Sequence, residues 1–226
     1  MTNGEIRERL YSLSDSDYKK FNDKVIRTEY EMLGVRLPAL KSFAKEIAKS
    51  GAEEFLSSFE PRSYEEILLC GFVLGYAKTD IETVFSYFDP LIEKFDNWAH
   101  VDCTVGAMKI FAKHREKVFE HFMPLMFSDG EFQKRTFVVI LMDYFTTPEH
   151  LDRTLSLLKK IPPNQYYVDM AIAWALSVCF VKDFDKTLAA FDRAAFSEFI
   201  YKKTISKCMD SFRITTEQKQ ILRALR

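Results

Sequence analysis

Apolar residues recur three and four residues apart along most of the chain. One clear run comprises Ile81, Val84, Phe85, Phe88, Leu91, Ile92 and Phe95. This spacing places apolar side chains on one face of an α-helix. Residues 105–122, 135–145 and 166–181 follow the same pattern, and no stretch of useful length alternates as a β-strand does. The pattern therefore predicts an all-α protein.

Turn-forming and helix-capping residues separate the periodic segments. The breaks fall at residues 50–51, 61–63, 78–80, 128–130, 147–148 and 162–164. They divide the chain into about a dozen helices of roughly 10–18 residues with short connections. Ser63 with Glu66 predicts a capping box, and Thr147-Pro148 predicts a helix whose first residue is Pro148.

The order of the helices indicates an architecture. Helix pairs recur at roughly 35–40 residues, which is in the range of two-helix solenoid repeats, although no strict sequence repeat is present. Stacked pairs predict a right-handed superhelical arc with a concave face. A compact helical bundle is the alternative. Because no linker interrupts the chain, residues 1–226 are predicted to form a single domain.

Five residues are interpreted through local structure and packing. Gly34 is expected to end one helix and Pro38 to begin the next. Gly71 and Gly75 lie in a helical pattern and are expected to allow close helix packing. Cys103 has no paired base in sequence and is interpreted as a small buried packing residue.

Composition narrows the class of protein. Hydrophobic residues make up 47% and charged residues 29% of the chain, which is normal for a soluble globular protein. The four cysteines are far apart and form no CxxC motif, which argues against a zinc site and a disulfide framework. The first residues do not resemble a signal peptide, and no stretch is long and apolar enough to span a bilayer. We therefore expect a cytoplasmic protein without a membrane partner.

Charge is distributed unevenly along the chain. Residues 51–100 contain ten acidic and three basic residues, a net charge of −7. Residues 199–226 contain seven basic and two acidic residues, a net charge of +5. A basic surface there could face phosphates, and a solvated helical face is the alternative.

Each of the two tryptophans lies in a segment with potential chemistry. Trp98 and Asp102 are four residues apart, so on a helix they share one face. Burying a carboxylate beside an indole is costly unless the charge is paired, so the pair suits a cationic ligand or a developing positive charge. The alternative is an acid near a helix start, favoured by the helix dipole, beside a packed tryptophan.

Four segments of the chain are similar to motifs of one known family. Leu33-Gly34-Val35-Arg36-Leu37-Pro38 is similar to a G-V-R-x-P signature, and Asn97-Trp98 with Val101-Asp102 is similar to an N-W-x-x-V-D motif. Lys134-Arg135 and the following residues are similar to an R-R-x-A segment, with Arg135 in the retained position. Residues 167–176, which contain Trp174, are similar to a Y-V-x-K-A-I-x-W-x-L helix. The segments cover residues from about 20 to 215, and in kind and order they resemble those of the DNA alkylation repair family.

The resemblance implies a fold, a reaction and site residues. It implies a HEAT-like helical-repeat glycosylase that hydrolyses the N-glycosidic bond of N3- and N7-alkylated purines in duplex DNA without full base flipping. Asp102 would stabilise the cationic sugar and orient water, Trp98 and Trp174 would form an aromatic cleft, and Arg135 would hold a DNA phosphate. The implied partner is double-stranded DNA containing alkylated purines, no metal or other cofactor is implied, and a monomer is expected.

The sequence also departs from the family pattern. Ala99 stands where the family often has an acid, Asp169-Met170 where a basic residue commonly precedes A-I, and Ser177 where arginine is frequent. Phosphate contacts supply much of the affinity for duplex DNA, so losing basic residues should weaken binding. A helical-repeat DNA-binding or protein-interaction scaffold with little or no activity is therefore the alternative function.

Overall fold

The computed structural model describes residues 1–225, and most of these residues are helical. The first six helices are α1 (Asn3–Ser12), α2 (Ser16–Val25), α3 (Leu37–Ser58), α4 (Tyr64–Tyr76), α5 (Ile81–Ile92) and α6 (Trp98–Ala107). The others are α7 (Arg115–Phe122), α8 (Glu131–Tyr144), α9 (Leu151–Leu158), α10 (Tyr166–Lys182), α11 (Phe184–Ala190), α12 (Glu198–Asp210) and α13 (Thr216–Ala224). Short 3-10 helices span Lys109–Lys113, Met123–Phe127 and Arg193–Ala195. The prediction of an all-α protein is confirmed.

Polar side chains cap most of these helices at their first residues. Side-chain oxygens accept main-chain N–H groups at Thr2, Asp15, Ser63, Asp80, Asn97, Asp183, Ser197 and Thr215. Such caps satisfy N–H groups that have no partner within the helix. They explain why the helices begin where the periodic apolar segments begin.

One predicted capping box is only partly formed, and one predicted helix start is wrong. Ser63 caps α4, but the Glu66 carboxylate accepts from Arg62 N at 2.6 Å, so the capping box is only half formed. Pro148 does not begin a helix, because the Thr147 carbonyl accepts from the N–H groups of His150 and Leu151. That turn delays the start of α9 to Leu151.

Pro38 lies in the first turn of α3, as expected, but Gly34 does not end a helix. α2 ends at Val25, and Gly34 lies in the irregular segment that follows it. The predicted break at Ser50-Gly51 is a kink inside α3, where Gly51 leaves the helical conformation.

The chain forms two compact units, Met1–His114 and Arg115–Arg226. Each has its own apolar core with several fully buried phenylalanines. Those of the first unit include Phe43, Phe72, Phe88 and Phe111, and those of the second include Phe122, Phe137, Phe145 and Phe180. A single domain spanning both units stays a prediction.

Close packing of α4 on α6 depends on two glycines, as predicted. A Cβ atom at Gly71 would overlap the Thr104 side chain, and one at Gly75 would lie 2.7 Å from the Ala107 carbonyl oxygen. The interaxial distance between packed helices depends on the side chains at the contact. The two glycines therefore bring the α6 backbone close to α4.

Within each unit, contacts recur at a nearly constant sequence separation. Tyr64 to His100 spans 36 residues, Glu131 to Tyr167 36, Glu116 to Arg153 37, and Asp152 to Lys186 34. This spacing agrees with the predicted helix-pair repeat. The contacts are typical of a solenoid in which each helix packs on its counterpart one pair later.

The orientation of α10 and α12 fits the same arrangement. The Tyr166 and Phe199 rings near the helix starts are 5.8 Å apart, and Lys207 Nζ lies 6.0 Å from the Trp174 ring eight residues further along both helices. The two helices therefore run parallel, as equivalent helices of consecutive pairs do. The right-handed superhelical arc and its concave face stay predictions.

In the part of the chain that the structure describes, no helix meets the length and hydropathy needed to cross a membrane.

Candidate functional site

The start of α6 determines where Trp98 and Asp102 lie. Asn97 caps the helix, and its Oδ1 accepts from the N–H groups of Ala99 and His100, each at 3.0 Å. Trp98 is thus the first helical residue, and Asp102 lies one turn further on the same face. Both side chains are half-buried.

The position of Asp102 also tests the alternative interpretation of this carboxylate. The first turn of α6 contains no acidic residue. A helix dipole acts mainly on charges in the terminal turn. The dipole therefore does not account for an acid at this position.

A buried polar network lies on another face of α6. His100 is fully buried, and its Nδ1 lies 3.2 Å from Asp96 Oδ1. Its Nε2 donates to the Tyr64 carbonyl oxygen at 3.2 Å, since a carbonyl can only accept. The Tyr64 and His100 rings also stack, with centroids 4.8 Å apart. His100 therefore joins α6 to the first residue of α4.

Asp96 connects this network to the chain before α3. Its Oδ2 accepts from Thr28 Oγ1 at 2.8 Å and from Glu29 N at 2.6 Å. Burial raises the pKa of Asp96, but the hydrogen bonds from His100, Glu29, Thr28 and Asn97 outweigh it and bring the pKa to about 2. Asp96 is therefore ionised at neutral pH, and it joins residues 28–29 to the first turn of α6.

Cys103, which follows Asp102, is half-buried. Burial, with a smaller contribution from the Asp102 charge, raises the pKa of its thiol to about 11. The thiol is therefore neutral at pH 7 and a weak nucleophile. This agrees with the interpretation of Cys103 as a packing residue.

The segment that carries the G-V-R signature is held by a buried carboxylate. Glu65 is fully buried, and it accepts from the N–H groups of Leu33 at 2.8 Å, Gly34 at 2.7 Å and Val35 at 3.1 Å. Burial raises the pKa of Glu65, and the three N–H donors oppose that rise. Arg36 forms an ion pair with Asp15 at 2.8 Å.

Gly34 is required for this conformation. Its φ is +87°, a region that residues with a Cβ rarely adopt, and a Cβ there would lie 2.6 Å from the Asp15 carbonyl oxygen. The signature segment therefore builds the scaffold around α4.

Arg135 lies on α8 in the second unit, and its side chain is buried. Its Nη1 donates to the Tyr167 carbonyl oxygen at 2.6 Å. The Glu131 carboxylate, one turn earlier on α8, accepts from Tyr167 N at 2.6 Å. The two residues thus hold the main chain of Tyr167 from both sides, at the start of the helix that carries Trp174.

Trp174 is half-buried on α10 and borders an open groove of about 480 Å³. The groove is lined by Trp174, Ser177, Val178, Val181, Lys207, Asp210, Ser211, Phe212 and Arg213. Phe212 is fully exposed, and Lys207 Nζ lies 6.0 Å from the indole centroid. Aromatic and cationic side chains thus share one surface of the second unit.

The four predicted site residues fall into two pairs. Trp98 and Asp102 lie together on α6 of the first unit, and Arg135 and Trp174 lie on the packed helices α8 and α10 of the second. Convergence of all four on one surface stays a prediction.

Sequence reasoning missed the residues that position these side chains. Asp96, His100, Glu65 and Glu131 were not identified as candidates, although all four make contacts that orient the site helices or the signature segment. The acidic excess of residues 51–100 was a signal for two of them, since Glu65 and Asp96 contribute to it. A local pattern does not predict partners more than 30 residues away.

The three departures from the family pattern lie at buried positions. Ala99 is 3%, Asp169 6% and Ser177 8% exposed. Both Asp169 carboxylate oxygens accept from Asn164 N, and Ser177 Oγ donates to the Trp174 carbonyl. Met170, in contrast, is only half-buried and lies one turn before Trp174.

Within residues 1–225, no group of three or more histidine, cysteine or acidic side chains is arranged to hold a metal ion.

Comparison with known families identifies the class of protein. A family model described as DNA alkylation repair enzyme matches residues 6–209, which is most of the chain. The protein therefore belongs to the DNA alkylation repair family, whose members are described as repair enzymes. No curated protein and no solved structure matches the chain.

Proposed function

We propose that this protein is a DNA N-glycosylase that excises N3- and N7-alkylated purines from duplex DNA by hydrolysis. Its family membership supports a role in DNA alkylation repair. The finer proposal depends mainly on one observation, the half-buried pair of Trp98 and Asp102 on one face of α6.

The chemistry requires an anion beside an aromatic face. Alkylation at N3 or N7 gives the purine a positive charge, and departure of the base leaves a cationic sugar. A carboxylate in a partly dry environment stabilises that developing charge and can orient the attacking water. Asp102 is proposed for this role, with the Trp98 indole attracting the cation through its quadrupole.

Precise placement of these two side chains is essential for such catalysis. Asn97 fixes the first turn of α6, and His100 and Asp96 attach the same turn to α4 and to residues 28–29. Residues that lock a site in position reduce the reorganisation needed in the transition state. Asp96, Asn97 and His100 are therefore proposed as positioning residues.

Trp174 is proposed to contact the sugar and backbone of the damaged nucleotide. Arg135 is proposed as a phosphate contact, because it stands in the retained position of the family's arginine segment and a planar guanidinium binds phosphate well. Its burial adds a positioning role, since its bond to the Tyr167 carbonyl holds the start of α10. The proposed substrate is double-stranded DNA that contains alkylated purines, and hydrolysis of its N-glycosidic bond is proposed to need no cofactor.

Base release from methylated duplex DNA tests the proposal. Wild-type protein is expected to release 7-methylguanine or 3-methyladenine without added metal. Asp102→Asn retains size but removes the charge, so single-turnover release should slow by roughly 10²-fold or more. Asp185→Asn, an exposed aspartate on α11, is the matched control and should release bases at the wild-type rate. Equal rates for the two variants would overturn the role of Asp102.

A scaffold function is the second candidate, and Met170 is the observation that favours it. Met170 precedes Trp174 by one turn and is apolar where the family commonly has a basic residue. A missing cation beside Trp174 would weaken phosphate binding. Folded wild-type protein that releases no base from any alkylated duplex would support the scaffold, and Met170→Lys would then be expected to increase DNA affinity.

A further inference from the structure

A pocket of about 600 Å³ lies in the first unit, between the second half of α3, the end of α4 and the first half of α5. Small and apolar side chains form much of its lining, and two half-buried tyrosines border it. These residues are Ala48, Ala52, Leu56, Ala77, Tyr76 and Tyr87. A concave, largely apolar lining with a few polar groups is typical of a binding site.

Lysines with exposed side chains lead to this pocket. Lys41, Lys45 and Lys49 are four residues apart on α3 and share one face of the helix. Lys45 Nζ lies 5.4 Å from the ring centroid of Tyr76, which borders the pocket. Lys49 and Lys78 line the pocket itself. The lysine row of α3 therefore ends at the pocket.

The charges of these lysines are available to a partner. In the part of the chain that the structure describes, none of the four lysines forms an ion pair. Two acids, Glu53 and Asp80, also line the pocket. The Asp80 carboxylate is engaged by Thr83, whose N–H and hydroxyl donate to it at 2.8 and 2.9 Å. The cations along α3 thus outnumber the free carboxylate beside them.

We propose that this surface, defined by Lys41, Lys45, Lys49, Lys78 and the pocket, binds an acidic peptide segment of a partner protein. The segment carries one large apolar side chain, which enters the pocket, and its carboxylates pair with the lysine row. This interaction is separate from base excision, because it uses no residue of the proposed excision site.

Length and shape favour a peptide over other anionic partners. Lys41 and Lys49 are about 12 Å apart along the axis of α3, so a small anion in the pocket would leave the far end of the row unused. A DNA duplex could reach the whole row, but its phosphate backbone has no apolar group to fill the pocket. The Glu53 carboxylate would also repel the dense charge of a duplex. An acidic segment with one apolar anchor matches both the row and the pocket.

Fluorescence anisotropy with a fluorescein-labelled peptide, Glu-Glu-Glu-Glu-Phe, tests the proposal. Wild-type protein should bind it with an affinity that falls as the salt concentration rises, because exposed charges are screened. A Glu-Glu-Glu-Glu-Ala peptide should bind roughly tenfold more weakly, because it has no ring to bury. A Lys-Lys-Lys-Lys-Phe peptide should not bind. Absence of binding to the first peptide, or equal affinity for the first two, would overturn the proposal.

Protein variants separate the lysine row from the general charge of the first unit. Lys49→Glu should weaken binding of the phenylalanine peptide roughly fivefold or more, because an attractive contact becomes repulsive. Lys24→Glu makes the same change at an exposed lysine of α2 and should bind as wild type does. Equal weakening by the two variants would show that only overall charge matters, against the proposal.

A variant that fills the pocket tests the apolar anchor. Ala52 is half-buried in the pocket lining, so Ala52→Phe should occupy the space of the anchor. It should weaken binding of the phenylalanine peptide but not of the alanine peptide, and thermal unfolding checks that the variant is folded. Unchanged affinity of folded Ala52→Phe for the phenylalanine peptide would exclude the pocket. Lys49→Glu, which leaves the pocket intact, tests the proposal independently of this variant.

An unmodified DNA duplex distinguishes a peptide from DNA as the partner. The duplex should not displace the bound peptide, and Lys49→Glu should bind the duplex as wild type does. A duplex that displaces the peptide and binds Lys49→Glu more weakly would assign the lysine row to DNA and overturn the proposal. Acetylation followed by mass spectrometry locates the peptide, which should protect Lys45 and Lys49 but not Lys24. Equal protection of the three lysines would contradict binding at this surface.

Discussion

The two units use charge in different ways. The first, Met1–His114, has 19 acidic and 15 basic residues, and it buries two carboxylates, Glu65 and Glu66. The second, Arg115–Arg226, has 14 acidic and 17 basic residues, and it buries one carboxylate, Asp169, and two cations, Lys134 and Arg135. Several of its cations lie next to aromatic rings at the surface, Lys203 and Lys207 among them.

The buried carboxylate of Glu65 accepts main-chain N–H groups from a segment about 30 residues away, so it determines the conformation of residues 33–35 in the first unit. Partly exposed cations of the second unit can meet phosphates, because little desolvation opposes them. The two tryptophans report on the units separately, since Trp98 lies in the first and Trp174 in the second. Variants that retain one tryptophan therefore allow the unfolding of each unit to be followed by its own fluorescence.

The largest expected effect is on the first unit. Glu65→Ala leaves three buried N–H groups without an acceptor, at about 1–3 kcal/mol for each. We expect the free energy of unfolding reported by Trp98 to fall by roughly 3–5 kcal/mol. Glu53→Ala, an exposed glutamate on α3, should change it by less than about 0.5 kcal/mol. A small effect of Glu65→Ala would contradict the role of the buried Glu65 carboxylate in holding residues 33–35 in place.

Arg135 provides the corresponding test in the second unit. Arg135→Met removes the donor to the partly buried Tyr167 carbonyl, so the free energy of unfolding reported by Trp174 should fall by about 1–3 kcal/mol. Arg135→Lys keeps the charge but not the planar donor geometry, and it should recover part of the loss. If Arg135 also binds a phosphate, Arg135→Met should lower the slope of log duplex affinity against log salt concentration by about 0.9. An unchanged salt slope with reduced stability would leave only the positioning role.

The dependence of stability on pH tests the role of a carboxylate, Asp96, in the first unit. The pKa of Asp96 falls from 3.8 to about 2 on folding, so the ionised carboxylate stabilises the folded state, and this stabilisation is present above about pH 4. It is lost as the pH falls from about 4 to 2, because the unfolded chain then takes up the proton first. The contribution is about 1–2 kcal/mol, since the carboxylate is partly exposed to solvent. Urea titrations at pH 6, 4 and 2.5 should show this loss for wild type and a flatter profile for Asp96→Asn.

The smallest expected effect concerns Phe212. Phe212→Ala removes a fully exposed ring, so the stability of the second unit should change by less than about 0.5 kcal/mol. Thermal unfolding followed through Trp174 measures it. A large loss would mean that Phe212 packs against the second unit in solution, which would contradict its full exposure to solvent.

Local rules predicted much of the fold. Helical periodicity identified the all-α class. The glycines of α4 were correctly assigned to close helix packing, because glycine lacks the Cβ atom that would overlap α6. The rules were wrong at Pro148 and Gly34. At Pro148 a hydrogen-bonded turn precedes the helix, and at Gly34 a carboxylate 31 residues away determines the backbone. Both outcomes depend on partners that a short sequence window does not contain.

The candidate site likewise has one feature that the sequence predicted and one that it did not. The pairing of Trp98 with Asp102 follows from the helical repeat alone, because residues four apart share a face wherever a helix forms. Burial of Arg135 against Tyr167 did not follow, since an arginine in a helical segment is usually exposed.

The sequence by itself determined the all-α class, the approximate helix boundaries, the family motifs and the Trp98–Asp102 face. These depend on interactions within one or two helical turns. Only the tertiary structure decided which charges are buried, that His100 and Asp96 hold α6, and that Trp174, Lys207, Phe212 and Arg213 line one groove. Several of these contacts join residues more than 30 positions apart, as His100 and Tyr64 do, and their free energy depends on the packing of whole helices rather than on local propensity.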